Sequence, residues 1–187
     1  MNTEDLLALP EDGHWQYELV EGRLVRMPGS GFEASAMAMR LGIVLGMFVM
    51  PRNLGIITGA DGTYNLTQPG DAGETALVPD VAFVRADRLP ARGSAEYIKA
   101  PRLAPDLVAE VASPSQHRPE LRDKAERYLR AGVRLVWLIW PNQRQVDVWQ
   151  ADANGAPLLV ATLAAGDALD GRDVLPGFTY PLADLFG

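Results

Sequence analysis

The sequence predicts a mixed α/β protein built on one mixed β-sheet with a few helices. One long apolar segment has helical spacing, whereas most other apolar segments are short and rich in β-formers. Their order, α-β-β-α-β…β-β-α-β-β-β, fits neither a doubly wound fold nor a sandwich. The 18 Gly and 14 Pro among 187 residues exceed average usage somewhat and indicate many turns.

Four segments are predicted to be helical. The longest, from Ala34 to about Met50, carries apolar residues at helical spacing, and Pro51 ends it. Its small residues would let it lie close to a sheet. The other three are Thr3–Leu9 with Thr3 as N-cap, Pro119–Ala131 with Gly132 after its end, and a short final helix at Leu182–Phe186.

The predicted strands are separated by Gly, Pro, Asp and Asn clusters, and Glu21-Gly22 is expected to turn the first hairpin. The polar stretch Arg85–Ala100 is predicted to be an exposed loop. The strands are Gln16–Val20, Arg23–Met27, Leu54–Thr58, Thr63–Thr67, Val78–Val84, Asp106–Ala112, Leu135–Trp140, Gln145–Gln150 and Leu158–Leu163.

Length and composition restrict the class of protein. A chain of this size is expected to form a single domain over residues 1–187. The absence of Cys excludes disulfides, thiolate metal sites and cysteine nucleophiles, and two His exclude a three-histidine metal site. The net charge of −7 argues against avid non-specific binding of nucleic acid, although a local basic groove stays possible.

The sequence also carries expectations about location. It has no run of 18 apolar residues, so we expect no membrane span. The N-terminal stretch is acidic and its apolar segment is too short for a secretory signal. We therefore expect a cytoplasmic protein.

Two carboxylates stand in apolar strand segments. Asp80 lies within Val78–Val84, and Glu110 lies within Asp106–Ala112, which reads as a strand covered on both faces. Each residue alone could be a solvated acid at a strand's start or on an exposed face. Two acids brought together repel each other, and a shared divalent cation relieves that repulsion. Oxygen ligands suit Mg²⁺ or Mn²⁺.

Lys124 is the third candidate. Only Lys99 and Lys124 are lysines among 17 basic residues, so each can mark a place that needs a compact ammonium. On a helical wheel, Lys124 falls at the margin of the apolar stripe of its helix. Either its stem runs along that margin towards solvent, or its ammonium reaches a carboxylate pair or a phosphate.

The motifs in their order resemble the Uma-two family, restriction-endonuclease-like proteins of the PD-(D/E)XK superfamily. The motifs near the candidate acids are Pro79-Asp80, Glu110 within Pro105–Val111, Ser113-Pro114-Ser115 and Lys124…Tyr128…Ala131-Gly132-Val133. Further matches are Tyr17–Gly22, Trp137 with Val146–Trp149, and Leu175–Phe178. The resemblance covers nearly the whole chain.

The resemblance implies a mixed central sheet flanked by helices, with Asp80 and Glu110 as metal-binding acids and Glu18 as a candidate third ligand. The standard motif places a lysine two residues after the second acid, where this chain has Ala112. The family is expected to supply the amine from the following helix, which matches Lys124. The implied activity is Mg²⁺- or Mn²⁺-dependent hydrolysis of DNA phosphodiester bonds, with Asp80, Glu110 and Lys124 as catalytic residues.

Three hypotheses stay open at this point. The first is a metal-dependent DNA endonuclease, which a basic groove formed by Arg85, Arg88, Arg92 and Arg102 would support. The second is a degenerate nuclease fold that acts as a binding or regulatory module, which the acidic composition and Ala112 favour. The third is a structural or oligomeric protein without a nucleic-acid partner.

We also expect a homodimer. Double-strand cleavage needs two sites, and twofold pairs are the commonest assembly. The candidate contacts are the apolar segment Leu135–Trp140 and the predicted loop Arg85–Ala100.

Overall fold

A computed structural model describes residues 1–10, 15–29, 31–114 and 116–187. The helices are α1 (Thr3–Leu7), α2 (Phe32–Val49), α3 (Ala95–Ile98), α4 (Arg118–Arg130) and α5 (Leu182–Phe186). The strands are β1 (Trp15–Val20), β2 (Arg23–Pro28), β3 (Gly55–Gly59), β4 (Tyr64–Asn65), β5 (Ala76–Leu77), β6 (Val81–Arg85), β7 (Leu107–Val111), β8 (Leu135–Trp140), β9 (Gln145–Ala151), β10 (Pro157–Ala164), β11 (Ala168–Gly171) and β12 (Leu175–Pro181).

A six-stranded mixed sheet forms the centre of the molecule, in the order β10-β9-β8-β7-β6-β3. All neighbouring strands are antiparallel except β7 and β8, which are parallel. A parallel pair needs a crossover connection, and α4 provides it. The predicted fold class, a mixed central sheet flanked by helices, is confirmed.

The two longest helices cover opposite faces of this sheet. Because successive side chains of a strand point to opposite faces, Phe83 and Leu107 join the core beneath α2, whereas Ala82 and Val108 join the core beneath α4. Glu110 follows Val108 at the same parity and therefore faces α4. The sheet thus separates two apolar layers, and the candidate acid lies in the layer of α4.

A smaller sheet, β2-β1-β5-β4, lies at the N-terminal side of the chain. Its first hairpin turns at Glu21 and Gly22, whose φ angles of 51° and 76° suit the tight turns that match strand twist, as predicted. β1 pairs with β5 through Leu19 and Ala76. This pairing places β1 beside the segment that leads into β6.

The structure corrects several predicted boundaries. The predicted strand Val78–Val84 is divided into β5 and β6, because Pro79 has no N–H for a ladder and the chain bends there. Helix α1 is capped by Asn2 rather than Thr3, with Asn2 and Asp5 forming a reciprocal capping box. The predicted loop Arg85–Ala100 contains α3. Strands β11 and β12 lie in the tail, where no strand was predicted.

The proposed dimer contact at Leu135–Trp140 is wrong. These residues are β8, the third strand of six, and every one of them is buried within the chain. A central strand that is covered on both faces has the same continuous run of apolar residues as an exposed apolar patch, so the sequence alone did not separate the two. The segment therefore cannot reach a second copy.

Helix α2 also bears on the expectation that nothing spans a membrane. The stretch from Phe32 to Arg52 is long and apolar enough to cross one by length and composition, with a mean hydropathy of 1.6. Core helices meet the same criterion, and one face of α2 packs on the sheet through residues such as Leu41 and Leu45. Less than half of the stretch is buried.

Candidate active site

Asp80 and Glu110 lie at the same end of two adjacent strands. β6 and β7 pair with Val81 opposite Ala109, so Asp80 just before β6 approaches Glu110 near the end of β7. The Asp80 carboxylate accepts a hydrogen bond of 2.7 Å from the backbone N–H of Val111. The predicted neighbourhood of the two acids is confirmed, although Asp80 lies at a bend before its strand rather than within it.

Lys124 reaches this end of the sheet from α4. Its Nζ lies 2.9 Å from Glu110 Oε1 and 2.7 Å from Glu18 Oε1, and it donates a third bond of 3.3 Å to the Val78 carbonyl. An ammonium has three N–H donors, and these three acceptors match them. The predicted position of Lys124 beside Glu110 is confirmed, and the alternative of a stem running out to solvent is not what the structure shows.

Glu18 comes to the site from β1 of the smaller sheet. Its carboxylate is buried and accepts a 3.0 Å hydrogen bond from the backbone N–H of Val78 as well as the bond from Lys124. The backbone of Val78 thus binds Glu18 through its N–H and Lys124 through its carbonyl. The segment before Asp80 is fixed from two sides.

Tyr128, which stands in the Lys124…Tyr128 motif without a predicted role, is also a site residue. Its hydroxyl donates a 2.7 Å hydrogen bond to Glu110 Oε1, the oxygen that also binds Lys124. Tyr128 lies four residues after Lys124, and residues at that spacing share a helix face. That spacing was the signal available in the sequence.

Burial dominates the electrostatics of the cluster. It raises the pKa of Glu110 to about 8, with Asp80 and Glu18 adding to the effect and Lys124 opposing it. Burial also raises the pKa of Asp80 and, with Glu110, that of Tyr128. For Lys124, burial alone would lower the pKa, but Glu110 and Glu18 together outweigh it and raise the pKa. The lysine therefore stays an ammonium at neutral pH.

The cluster opens to solvent through Asp80. This partly buried acid lines a cleft of about 930 Å³ between α2 and the end of β3. One wall is apolar and comes from α2, whereas the opposite wall carries Thr58 and Asp61. Glu18, Glu110 and Lys124 are buried behind Asp80.

Comparison with known proteins identifies the family. The Uma2 family model, described as "Putative restriction endonuclease", matches residues 3–183. The chain belongs to the Uma2 family. The fold is similar to the crystal structure titled "a putative nuclease belonging to DUF820" from Anabaena variabilis ATCC 29413, with a TM-score of 0.80 and 21% identity over 100% of this chain and 97% of that chain. A search of curated proteins gave no match.

The Uma2 resemblance implies a divalent cation, and the donor set can be tested against one. Across the described parts of the chain, no group of three or more His, Cys, Asp or Glu side chains is spaced to hold a metal. Two carboxylates remain, Asp80 and Glu110, and Mg²⁺ commonly takes one or two carboxylates plus waters and substrate phosphates. When all three carboxylates are ionised, as a bound cation would favour, the three acids and one ammonium carry an excess of two negative charges, which a divalent cation would neutralise. The donors fit Mg²⁺ or Mn²⁺.

Most of the four arginines predicted to form a basic groove are paired with acids of the same chain. Arg85 pairs with Asp87 at 2.6 Å, Arg88 pairs with the buried Asp106 at 2.8 Å, and Arg102 lies 4.0 Å from Glu74. Arg92 is exposed. Three of the four predicted arginines are therefore neutralised by acids of the same chain.

Proposed function

We propose that this Uma2 protein is a divalent-metal-dependent endonuclease that hydrolyses phosphodiester bonds of DNA. The observation that carries the proposal is the convergence of Asp80, Glu110 and Lys124 at one end of β6 and β7. Lys124 reaches Glu110 from α4 and would supply the amine that the standard motif places at the position of Ala112. Family membership supports the same reaction class.

Asp80 and Glu110 would hold the cation. Lys124 and Tyr128 both bind Oε1 of Glu110, so Oε2 is the oxygen that would ligate the cation. When bound, Mg²⁺ or Mn²⁺ supplies a water of lowered pKa and neutralises charge on the phosphate. Of the three acids in the cluster, Asp80 is the one that lines the cleft.

Lys124 would act as a cation rather than as a base. Its raised pKa keeps the proton on Nζ, so its contribution is to orient Glu110 and to place positive charge near the transferred phosphate. Glu18 and the Val78 carbonyl hold the ammonium in position. Tyr128 fixes the same Glu110 oxygen from the next turn of α4.

Cleavage of supercoiled plasmid in Mg²⁺ or Mn²⁺ tests the proposal. We expect wild-type protein to convert the plasmid to nicked and linear forms, and Asp80→Asn to lose at least a hundredfold of that activity, as is typical when a charge-stabilising group is removed. Asp61→Asn is the matched control, because Asp61 lines the same cleft.

The outcome of the control decides the assignment. Equal losses for Asp80→Asn and Asp61→Asn would place the chemistry elsewhere in the cleft. Full activity of Asp80→Asn, or unchanged activity in excess EDTA, would overturn the metal-dependent mechanism.

A binding or regulatory module is the second candidate function. Two observations favour it: all three donors of Lys124 are already engaged within the chain, and three arginines of the expected groove are paired with acids. Fluorescence anisotropy with labelled duplex DNA separates the two candidates. Binding by wild type without cleavage in Mg²⁺ and Mn²⁺ would identify the module, whereas cleavage identifies the enzyme.

A further inference from the structure

Helix α2 and Met50, the residue just after it, expose an apolar stripe on the side that does not pack on the sheet. The exposed fractions are 66% for Met39, 54% for Ile43, 71% for Met47 and 69% for Met50. Large side chains offer on the order of 200 Å² each, so these fractions amount to roughly 500 Å² of apolar surface. Soluble monomers rarely expose more in one patch, and Phe32 extends the stripe at its start.

We propose that this stripe is the interface with a second copy of the chain, in which two α2 helices pack antiparallel about a twofold axis at Ile43. The proposal concerns association and does not rest on the nuclease reaction. A standard interface buries about 800 Å² on each partner, and the stripe together with Phe32 offers roughly 700 Å².

The spacing of the stripe is self-complementary. Met39 and Met47 each lie four residues from Ile43, so an antiparallel pair brings Met39 against Met47 of the second copy. Ala36 and Met50 each lie seven residues from Ile43, so the small side chain meets the large one. An isologous interface requires this kind of complementarity.

Small residues beside the stripe leave room for close approach. A Cβ added at Gly42 would meet no atom within 4 Å. Two helices approach closely where such residues face each other. The same residues line the cleft, so the second copy would form part of its boundary.

Charge favours a second copy over other partners. A chain with a net charge of −7 can associate with itself only through a surface that lacks like charges. Between Ser35 and Met50 the single charged side chain is Arg40, and its guanidinium donates to the carbonyls of Asp184 and Leu185. Helices that lie on anionic lipid carry a face rich in Lys and Arg, which α2 lacks.

Both active-site clefts would then lie beside the twofold axis. Asp80 lines the same cleft as Met39, Ile43 and Met47, so each copy brings one Asp80 to the edge of the interface. Dimerisation would pair the two candidate sites, rather than leave them on remote faces.

Sedimentation velocity of the full chain at micromolar concentration tests the interface. We expect the wild type to sediment as a dimer and Ile43→Asp as a folded monomer of 20.3 kDa, with unchanged circular dichroism. Leu158→Asp is the matched control, because it changes an exposed leucine on the edge strand β10. It should remain a dimer.

Single cysteines test the geometry even if Ile43→Asp does not fold, since the chain contains no cysteine of its own. Ile43→Cys should form an intermolecular disulfide under mild oxidation. Met39→Cys should crosslink several-fold more efficiently to Met47→Cys chains in a mixture than to itself. Equal self-crosslinking of Met39→Cys would overturn the antiparallel arrangement.

Two further results would overturn the interface itself. One is a wild-type monomer, including a monomer that co-sediments with phosphatidylcholine–phosphatidylglycerol vesicles, which would assign the stripe to lipid. The other is a dimer that survives Ile43→Asp but not Leu158→Asp. A dimer that cleaves no DNA would support the interface and refute only the proposed enzyme.

Discussion

Helices α2 and α4 cover opposite faces of one sheet, yet they differ in what their outer faces present. The outer face of α4 is charged, and its inner face carries Lys124 and Tyr128 into the site. Helix α2 is apolar on both faces, with Leu41 in the core and Ile43 in solvent. An amphipathic helix needs no further partner, whereas a helix that is apolar all round is expected to be covered.

The largest effect is expected from Lys124→Ala, which removes the ammonium from the α4 side. Glu18 and Glu110 would be left buried without their counter-ion, which typically costs about 3–5 kcal/mol of unfolding free energy. Cleavage should fall far more than metal affinity measured by isothermal titration calorimetry, because the lysine does not ligate the ion. Lys124→Arg should rescue little, since a planar guanidinium does not match three acceptors arranged for an ammonium.

Lys99→Ala is the control for that experiment, because Lys99 is the other lysine and is exposed. It should keep wild-type stability and cleavage. Wild-type turnover in Lys124→Ala would contradict the assignment and favour the degenerate nuclease fold.

Truncations within α2 test its two apolar faces against each other. Leu41→Ala should lower the unfolding free energy by about 2–5 kcal/mol, because Leu41 is fully buried. Ile43→Ala should change the stability of the monomer by less than about 0.5 kcal/mol, because the side chain faces solvent there. Urea titrations at a protein concentration low enough to keep the variants monomeric measure both, and equal losses would mean that Ile43 belongs to the core.

A pH titration of stability should distinguish the α4 side of the sheet from the α2 side. The folded Glu110 holds its proton up to pH about 8, whereas its ordinary carboxyl pKa is 4.5. Between these values the folded state binds more protons than the unfolded state, so the free energy of unfolding falls as pH rises. The slope is at most about 1.4 kcal/mol per pH unit for one proton.

Glu110→Gln should flatten that dependence, because an amide does not titrate. Chemical denaturation from pH 5 to pH 8 measures both proteins. The same slope in wild type and Glu110→Gln would assign the dependence to another group. The two proteins differ only at residue 110. In both, the groups that face this residue are the acids Asp80 and Glu18, together with Lys124 and Tyr128.

The smallest effect is expected on the outer face of α4. Arg130 and Glu126 form an exposed pair at i,i+4 spacing. Arg130→Ala should lower the unfolding free energy by only about 0.3–0.5 kcal/mol, the usual value for such pairs. If the unfolding free energy measured by heat or urea falls by more than about 1 kcal/mol, the outer face of α4 has a partner. That result would contradict the contrast drawn with α2.

The parts of the molecule governed by local sequence were predictable. The periodicity of α2 and α4, the hairpin at Glu21-Gly22 and the wheel position of Lys124 depend on neighbours within a few residues. The apolar run Leu135–Trp140 was misassigned because a central strand and an exposed apolar patch have the same composition.

Contacts between distant segments were not predictable. Glu18 binds Lys124 only because β1 pairs with β5 and so lies beside Val78, which no local pattern encodes. Pro79 was a local signal for the break before β6 that the predicted strand Val78–Val84 ignored, and its effect on Asp80 depended on where β7 lay. The proximity of Tyr128 to Glu110 needed both the helix face and the strand register.

The pairing of Glu18 with Lys124 also bears on how the protein is made. During synthesis β1 leaves the ribosome early, whereas α4 follows only after three of the six central strands, β3, β6 and β7, have been translated. Until then the carboxylate of Glu18 has no ammonium to meet, and the Val78 backbone cannot be held from both sides. The cluster can therefore be completed only after α4 has left the ribosome, and a shorter nascent chain carries no finished site.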